Sequence, residues 1–166
     1  MKFGQVHKMA PELRVPYWID TSGEPLETSL KLDDLGDGWK IIFAFQHWCP
    51  GCHSRGFPTL KRLYDVLHDK GVGFAAIQTV FEGEAHNTVD KLALNQSQYD
   101  LPISFGHDPL PVGEDYPSFM EDYRSAGTPW FTLIEPGGRV AYADFRLDST
   151  RLLQTWEQEA LTFCTA

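Results

Sequence analysis

Apolar residues gather into short continuous runs along this chain, and these runs alternate with segments of helical spacing. The run from Lys40 to Gln46 is rich in β-branched and aromatic residues, which predicts a strand buried on both faces. Apolar residues then recur every three or four positions from Phe57 to Leu67, ahead of a glycine stop at Gly71, and predict a helix. A second buried strand is predicted over 73–79. The middle of the chain is therefore expected to be strand, helix and strand.

The same alternation continues on both sides of this unit. An N-terminal β-hairpin is predicted from the alternating segment 13–19, the turn-rich residues 20–23 and a second short strand over 26–32. The later segments predict, in chain order, a helix over 88–99, a strand over 103–106, a proline-rich loop over 108–117, a helix over 118–125, a strand pair over 130–134 and 139–145, and a closing helix over 149–163. This order predicts an α/β fold with a central mixed β-sheet and helices on both faces. Because no long linker interrupts it, residues 1–166 are expected to form a single domain.

Composition and charge narrow the kinds of partner. The chain has 166 residues and a formal net charge of −9, whereas nucleic acids and anionic membranes are bound through basic surfaces. No run approaches the roughly 20 apolar residues of a membrane span. The N-terminal residues also lack the apolar core of ~7–15 residues that a secretory signal carries. We therefore expect a cytoplasmic protein that binds neither nucleic acid nor a membrane.

Two of the three cysteines lie in the motif Cys49-Pro50-Gly51-Cys52, between the first buried strand and the helix. At the start of a helix, unpaired backbone N–H groups and the positive end of the helix dipole stabilise a thiolate. Cys49 is therefore expected to be the nucleophile, with Cys52 one turn further on to resolve a mixed disulfide. Pro50 suits the first helical turn because its missing N–H would have no partner there. The third cysteine, Cys164, is expected to be a structural or idle thiol.

Two other uses of the motif follow from its spacing alone. With His53 directly after Cys52, the sequence also has the Cys-x-x-Cys-His pattern to which c-type haem is attached. A closed zinc site would need four nitrogen or sulfur ligands, and only the two cysteines with His47 and His53 are at hand. The strand before the motif and the helix after it favour redox chemistry over both. We therefore expect no metal, and no cofactor beyond the redox-active disulfide.

Polar residues near the cysteines are candidates for a supporting role. A protonated imidazole at His47 or His53 would lower the pKa of the Cys49 thiol further and make a disulfide more oxidising. Arg55 could act in the same way. Glu82, at the end of a predicted strand, is a candidate proton acceptor.

The motif and its flanks, residues 43–52 and the following Phe57-Pro58, resemble the active-site strand and helix of thioredoxin-like proteins. Gly127-Thr128-Pro129-Trp130 resembles the cis-proline loop of that superfamily, and the strand pair over 131–145 resembles its last two strands. The N-terminal hairpin and a long insert over 80–126 are more similar to the redoxin branch than to plain thioredoxin. That branch contains the TlpA-like thiol–disulfide oxidoreductases, which are related to the AhpC/TSA group.

The resemblance implies a thiol–disulfide oxidoreductase with Cys49 and Cys52 as its redox pair. It further implies that Pro129 follows a cis peptide bond and lies against the two sulfurs. Thr128 would then offer its backbone to an extended substrate, and Trp48 would flank the reactive sulfur as part of the contact surface. The expected partners are a disulfide-bearing protein or a small thiol substrate, together with a thiol electron donor.

The chain departs from the family pattern at two points. The buried aspartate that many thioredoxins carry in the central strand falls at Phe43, so the group that deprotonates Cys52 is open. One residue more than the family pattern has also stands between Cys52 and Phe57.

A thiol peroxidase, acting as an antioxidant, is the alternative within the same branch of the fold. Peroxiredoxins carry the pattern Pro-x-x-x-Thr-x-x-Cys, in which the threonine hydroxyl helps to orient the peroxide. Counting back from Cys49 places Gln46 where the threonine would be and Ile42 where the proline would be. The sequence therefore favours disulfide exchange over peroxidase chemistry.

Overall fold

The structure is a computed structural model that describes residues 2–165, with side chains through residue 159. Within this range six strands form one sheet: β1 (Tyr17–Ile19), β2 (Lys40–Phe45), β3 (Gly73–Thr79), β4 (Ser104–Asp108), β5 (Trp130–Ile134) and β6 (Val140–Asp144). Their order across the sheet is β1-β4-β3-β2-β5-β6. β2, β3 and β4 are parallel to one another, whereas β1 is antiparallel to β4, β5 to β2, and β6 to β5.

Helices cover both faces of this sheet. The described α-helices are α1 (Phe57–Leu67), α2 (Lys91–Gln98), α3 (Ser118–Tyr123) and α4 (Ser149–Thr165). A 3₁₀ turn (Leu32–Leu35) precedes β2, and a π-helical turn (Cys52–Gly56) precedes α1. None of the helices in the described range combines the length and the apolar character that crossing a membrane requires.

The core is divided between the two faces of β2. Phe43 and Phe45 lie in the apolar cluster beneath α1, α2 and α4, whereas Ile42 and Ala44 lie in the cluster beneath α3. Neighbouring residues enter opposite clusters because side chains alternate along a strand. This mixed sheet with helices on both faces confirms the predicted α/β fold class.

The N-terminal hairpin is shorter than the sequence pattern predicts. The chain does turn back after β1, where an isolated bridge joins Ile19 to Pro25. The segment 26–32, however, is not a strand, and β1 pairs with β4 at the edge of the sheet. The segment pairs back at its start, where the Leu26 N–H donates to the Trp18 carbonyl at 2.9 Å, but at its end the Leu32 N–H is taken by the Glu12 carboxylate at 2.8 Å.

The segment 80–126, predicted to be a redoxin-type insert, contains α2, β4 and α3. Its strand β4 is part of the main sheet, because it pairs in parallel with β3 on one side and holds β1 on the other. The segment therefore extends the sheet and supplies one helix to each face.

The loop that carries the Cys49–Cys52 motif lies at the carboxyl-terminal edge of the parallel strands. The carboxyl ends of β2, β3 and β4 meet there because these strands are parallel, and Trp130 at the start of β5 pairs with Ala44 near the end of β2. The connections that converge at this edge are 46–49, 80–90, 109–117 and 127–129. Open α/β sheets place their functional sites beyond the carboxyl ends of parallel strands.

Candidate active site

Cys49 and Cys52 form a disulfide at this edge, with their Cα atoms 5.3 Å apart. Helical structure begins at Pro50, so Cys49 directly precedes the first turn. Cys49 is 8% exposed and Cys52 is fully buried, and the Cys52 N–H donates to the Cys49 sulfur at 3.2 Å. Cys49 is therefore the less enclosed of the two sulfurs, and the helix start presents a donor to it.

The helix that carries the motif begins with an unusual turn. The Phe57 N–H donates to the carbonyl of Cys52, five residues earlier, which closes a π-helical turn over Cys52–Gly56. A π-turn accommodates one residue more than the same length of α-helix, and such turns are frequent at functional sites. This turn is the structural form of the extra residue noted between Cys52 and Phe57.

The loop before β5 packs against this turn. The Thr128–Pro129 peptide bond is cis, which confirms the prediction made from the family resemblance. A Cβ atom on Gly56 would lie 2.8 Å from Phe43 Cζ, closer than such atoms approach, and 3.1 Å from Pro129 Cβ, which is a tight contact. A Cβ atom on Gly51 would lie 3.5 Å from Pro129 Cδ, an ordinary contact. The absent side chain at Gly56 thus lets the proline and the core ring meet the helix.

Buried amide side chains hold the residues between β2 and Cys49. The His47 N–H donates to Gln78 Oε1 at 3.2 Å, and the Trp48 N–H donates to Asn87 Oδ1 at 3.1 Å. Asn87 in turn donates from Nδ2 to the carbonyls of residues 82 and 83, each at 3.1 Å. Gln78 and Asn87 are at most 1% exposed. Together they fasten the turn 46–49 to the loop 81–88.

Gln46 makes the third such connection. Its carbonyl accepts from the Cys49 N–H at 3.1 Å, and its side-chain Oε1 accepts from the backbone N–H groups of Phe81 and Glu82 at 3.2 and 3.3 Å. Gln46 is 1% exposed. The sequence pattern does not predict the positioning role of these three amides. Its one indication is that Gln46 and Gln78 are polar residues near the ends of two apolar runs.

Trp48 lies on the loop 81–88 beside the disulfide. Its side chain is 43% exposed, and its ring stacks with His86 at a centroid distance of 5.4 Å and an interplanar angle of 20°. Gly83 lies under the indole with φ +65°, and a Cβ atom there would come within 2.6 Å of three ring atoms. The exposed indole therefore rests on the backbone of Gly83 and against the His86 ring.

The surroundings of His47 disfavour its protonated form. Asn95 Nδ2 donates to His47 Nδ1 at 3.1 Å, so this ring nitrogen is the acceptor. Burial lowers the pKa of His47 below its ordinary value and the charge of Lys91 acts in the same direction, which outweighs the opposing effects of the Asn95 hydrogen bond and of Asp90. This finding runs against the expectation that a protonated His47 stabilises the Cys49 thiolate.

His53 ties the first helical turn to two other elements. Its Nε2 contacts the His47 carbonyl, and its Nδ1 contacts the hydroxyl of Tyr99, the residue that follows α2. The imidazole also packs against the rings of Tyr99 and Phe57, each at a centroid distance of 5.7 Å. Both ring nitrogens are thus engaged within the protein. His53 is placed to brace the turn, and Tyr99 is a further site residue that the sequence pattern did not reveal.

The proton acceptor for Cys52 stays a prediction. Phe43 occupies the position of the missing aspartate and packs edge-to-face on Phe57 at a centroid distance of 5.0 Å. Glu82 is exposed, and no described hydrogen bond or ion pair joins its carboxylate to either cysteine. The Cys164 side chain lies outside the described residues. Within the described part of the chain, no three His, Cys, Asp or Glu side chains gather as a metal site would require.

Comparison with known proteins rests on structure. No protein-family model matches the sequence, and no curated protein sequence matches it. The chain is similar to the crystal structure of a thioredoxin-like superfamily protein, with a TM-score of 0.76 and 30% identity over 89% of this chain and 92% of that one. It is also similar to a thiol-disulfide isomerase from Corynebacterium glutamicum, with a TM-score of 0.73 and 24% identity over 90% and 95% of the two chains. The thioredoxin domain of a thiol-disulfide oxidoreductase from Bacteroides vulgatus has a TM-score of 0.65 and 18% identity over 92% and 96%.

The contact between the helix and the cis-proline loop predicts a difference between two glycines. Gly56→Ala should lower the free energy of unfolding by about 1–3 kcal/mol, because the new methyl group overpacks a rigid core contact. Gly51→Ala, the matched control, should change it by less than about 1 kcal/mol, since its methyl group has room and alanine favours helix. Urea unfolding of the oxidised proteins measures both. Equal losses in the two variants would contradict the close approach at Gly56.

The amide network predicts that Asn87 holds the backbone of Trp48. Asn87→Ala should lower the free energy of unfolding by about 1–3 kcal/mol, because a buried N–H and two carbonyls lose their partner. Hydrogen exchange at the Trp48 amide should become faster. Gln98→Ala, an exposed substitution on α2, should do neither. Unchanged exchange at Trp48 in the Asn87 variant would refute this role.

The low pKa of His47 predicts a pH-dependent contribution to stability. Because burial lowers the pKa of His47 in the folded protein, the unfolded chain takes up this proton at a higher pH, near the ordinary histidine pKa of about 6.5. The free energy of unfolding therefore falls as the pH drops through that value. We expect the stability difference between wild type and His47→Gln to shrink between pH 7.5 and 5.5 in urea titrations. His7→Gln is the control. A stability difference that stays constant would show that His47 contributes no pH dependence, and one that grows as the pH falls would show a raised pKa; either result would contradict the prediction.

Proposed function

Because the chain belongs to the thioredoxin-like superfamily, we propose that Cys49 and Cys52 carry out thiol–disulfide exchange. The observation that carries the proposal is the disulfide at the start of a helix, with cis-Pro129 beside the turn between the two cysteines. Exchange needs one sulfur that a substrate can reach and a second that bonds to the first. Cys49, which keeps 8% exposure, and the fully enclosed Cys52 are proposed to make such a pair.

In the reduced protein, Cys49 is the proposed nucleophile. Its thiolate is stabilised by the positive end of the helix and by the Cys52 N–H, which lies 3.2 Å from the sulfur in the disulfide form. The thiolate attacks one sulfur of the substrate disulfide and forms a mixed disulfide. The other substrate sulfur leaves with the bonding electron pair and takes up a proton.

Cys52 then completes the exchange. It loses its proton, attacks the Cys49 sulfur and forms the intramolecular disulfide, while the second substrate thiol leaves. The substrate has gained two electrons and two protons, and the protein has lost them. A thiol electron donor regenerates the reduced pair by the same steps in reverse. Because Cys52 is fully buried, external disulfides do not reach it, and it reacts only with the Cys49 sulfur of the mixed disulfide.

The surface around Cys49 supports an extended segment or a small thiol as substrate. Thr128, directly before cis-Pro129, is proposed to pair through its backbone with the residues beside the substrate sulfur. Trp48, 43% exposed and fastened to the loop 81–88, is proposed to contact the same segment. Both assignments are supported by their place at the sheet edge that carries the disulfide.

Trapping experiments test the assignment of the two sulfurs. In a Cys164→Ser background, Cys52→Ser should accumulate a mixed disulfide through Cys49 when mixed with an unfolded disulfide-bearing protein, because no second sulfur releases it. Cys49→Ser should accumulate none, since its remaining sulfur is buried. Peptide mapping by mass spectrometry identifies the linked residue.

Three results would contradict the proposal. These are adducts on the wrong cysteine, reduction of protein disulfides by the wild type no faster than by free cysteine, and faster turnover of hydrogen peroxide than of disulfide. The last of these would favour the peroxidase alternative.

A further inference from the structure

A cavity of about 370 Å³ opens between the start of the helix that carries the motif and the residues of β5 and the segment 145–148. Its floor is aromatic and aliphatic and its rim carries two arginines. The residues that line it are Arg55, Thr59, Phe131, Phe145, Arg146, Leu147 and Asp148. The mechanism proposed above uses none of them.

The cavity adjoins the reactive sulfur pair. Arg55 Nη2 lies 3.6 Å from the Cβ position of Gly51, which stands between the two cysteines. Phe145 lies 3.2 Å from the Cβ position of Gly127, at the start of the cis-proline loop. Phe131 is the second residue after Pro129. Two of the lining residues thus reach the motif and the cis-proline loop.

The charges on the rim favour an anion. Arg55 and Arg146 are both exposed, and in the described part of the chain neither guanidinium takes part in an ion pair. Asp148 also lines the cavity and offsets one of the two positive charges, while its Oδ1 accepts from the Arg151 N–H at 3.0 Å and caps the start of α4. A guanidinium presents paired donors that match a carboxylate. Two such groups in a chain of net charge −9 form a local cationic site.

We propose that this cavity binds the carboxylate-bearing part of a low-molecular-weight thiol or disulfide, and so selects anionic small disulfides as substrates. This proposal rests on the proposed function, because the sulfur step is the exchange at Cys49. The carboxylate pairs with Arg55 and Arg146, and the apolar body of the molecule packs on Phe131 and Phe145. The bound disulfide then gives one sulfur to the Cys49 thiolate, and its other half leaves as a free thiol.

A series of disulfides that differ in charge tests the substrate class. The reduced protein is mixed with glutathione disulfide, which is anionic, with hydroxyethyl disulfide, which is neutral, and with cystamine, which is cationic. The rate of formation of the Cys49–Cys52 disulfide is followed for each. We expect the anionic disulfide to react fastest relative to the reaction of each disulfide with free cysteine. This preference should weaken as salt is raised, because exposed charges are screened.

Two charge-matched variants separate the cavity from the overall charge of the protein. Arg146→Gln removes a rim guanidinium without touching the turn that holds the cysteines. The control, Arg139→Gln, removes the same charge at the β5–β6 turn, at the other end of the sheet, where Arg139 donates to the His7 carbonyl. We expect Arg146→Gln to lower the ratio of the glutathione disulfide rate to the hydroxyethyl disulfide rate by about two- to fivefold, the range for one exposed ion pair. Arg139→Gln should leave this ratio near the wild-type value.

The outcomes distinguish failure of the cavity from failure of the chemistry. If all three disulfides react and the two variants show the same ratio, the cavity proposal is overturned while thiol–disulfide exchange stands. If the wild type reacts with none of them faster than free cysteine does, both proposals are overturned. A ratio that falls only in Arg146→Gln supports the cavity as the substrate site.

Discussion

The backbone N–H groups of His47, Trp48 and Cys49 lie between β2 and the first turn of the helix, and their hydrogen-bond partners are outside both elements. Gln78, Asn87 and the Gln46 carbonyl accept these three hydrogen bonds at 3.1–3.2 Å. Buried donors that lack a partner are costly, so each acceptor determines where one residue of the turn can lie. Because Cys49 is the last residue of this turn, the position of the reactive sulfur depends on these amides.

The same contacts explain why the site has two distinct sides. On one side, the amides fasten the loop 81–88 to the turn, and the indole of Trp48 rests on that loop against Gly83 and His86. On the other side, the cis-proline loop meets the helix through Gly56 and opens onto the cavity with Arg55 at its rim. One side is thus aromatic and held by buried polar contacts, whereas the other is cationic above an apolar floor.

Local sequence patterns predicted the parts of the fold that local physics determines. The apolar runs gave β2 and β3 almost residue for residue, since both strands are covered on two faces and contain few polar positions. The redox pair followed from its place between a strand and a helix, and the cis bond before Pro129 followed from family resemblance. The one-residue insertion before Phe57 was visible in the sequence, although its π-helical form was not.

What could not be predicted depends on contacts between distant segments. Nothing near Leu32 indicates that its N–H is taken by Glu12, and this contact replaces the second strand of the predicted hairpin. Asn87 contacts Trp48 across 39 positions of sequence, and Tyr99 contacts His53 across 46. Only the folded chain therefore shows that Asn87 and Tyr99 belong to the site. The lowered pKa of His47 was hidden from the sequence for the same reason, because its partial burial beside α2 is a property of the packing.

The central claim is that the fold presents Cys49 as the reactive sulfur and keeps Cys52 enclosed. Brief alkylation of the reduced protein with limiting iodoacetamide at pH 7, followed by peptide mapping, measures this directly. The structure predicts that Cys49 is labelled at least about tenfold faster than Cys52, because buried thiols are inert. Labelling of Cys52 at a rate equal to or above that of Cys49 would contradict it.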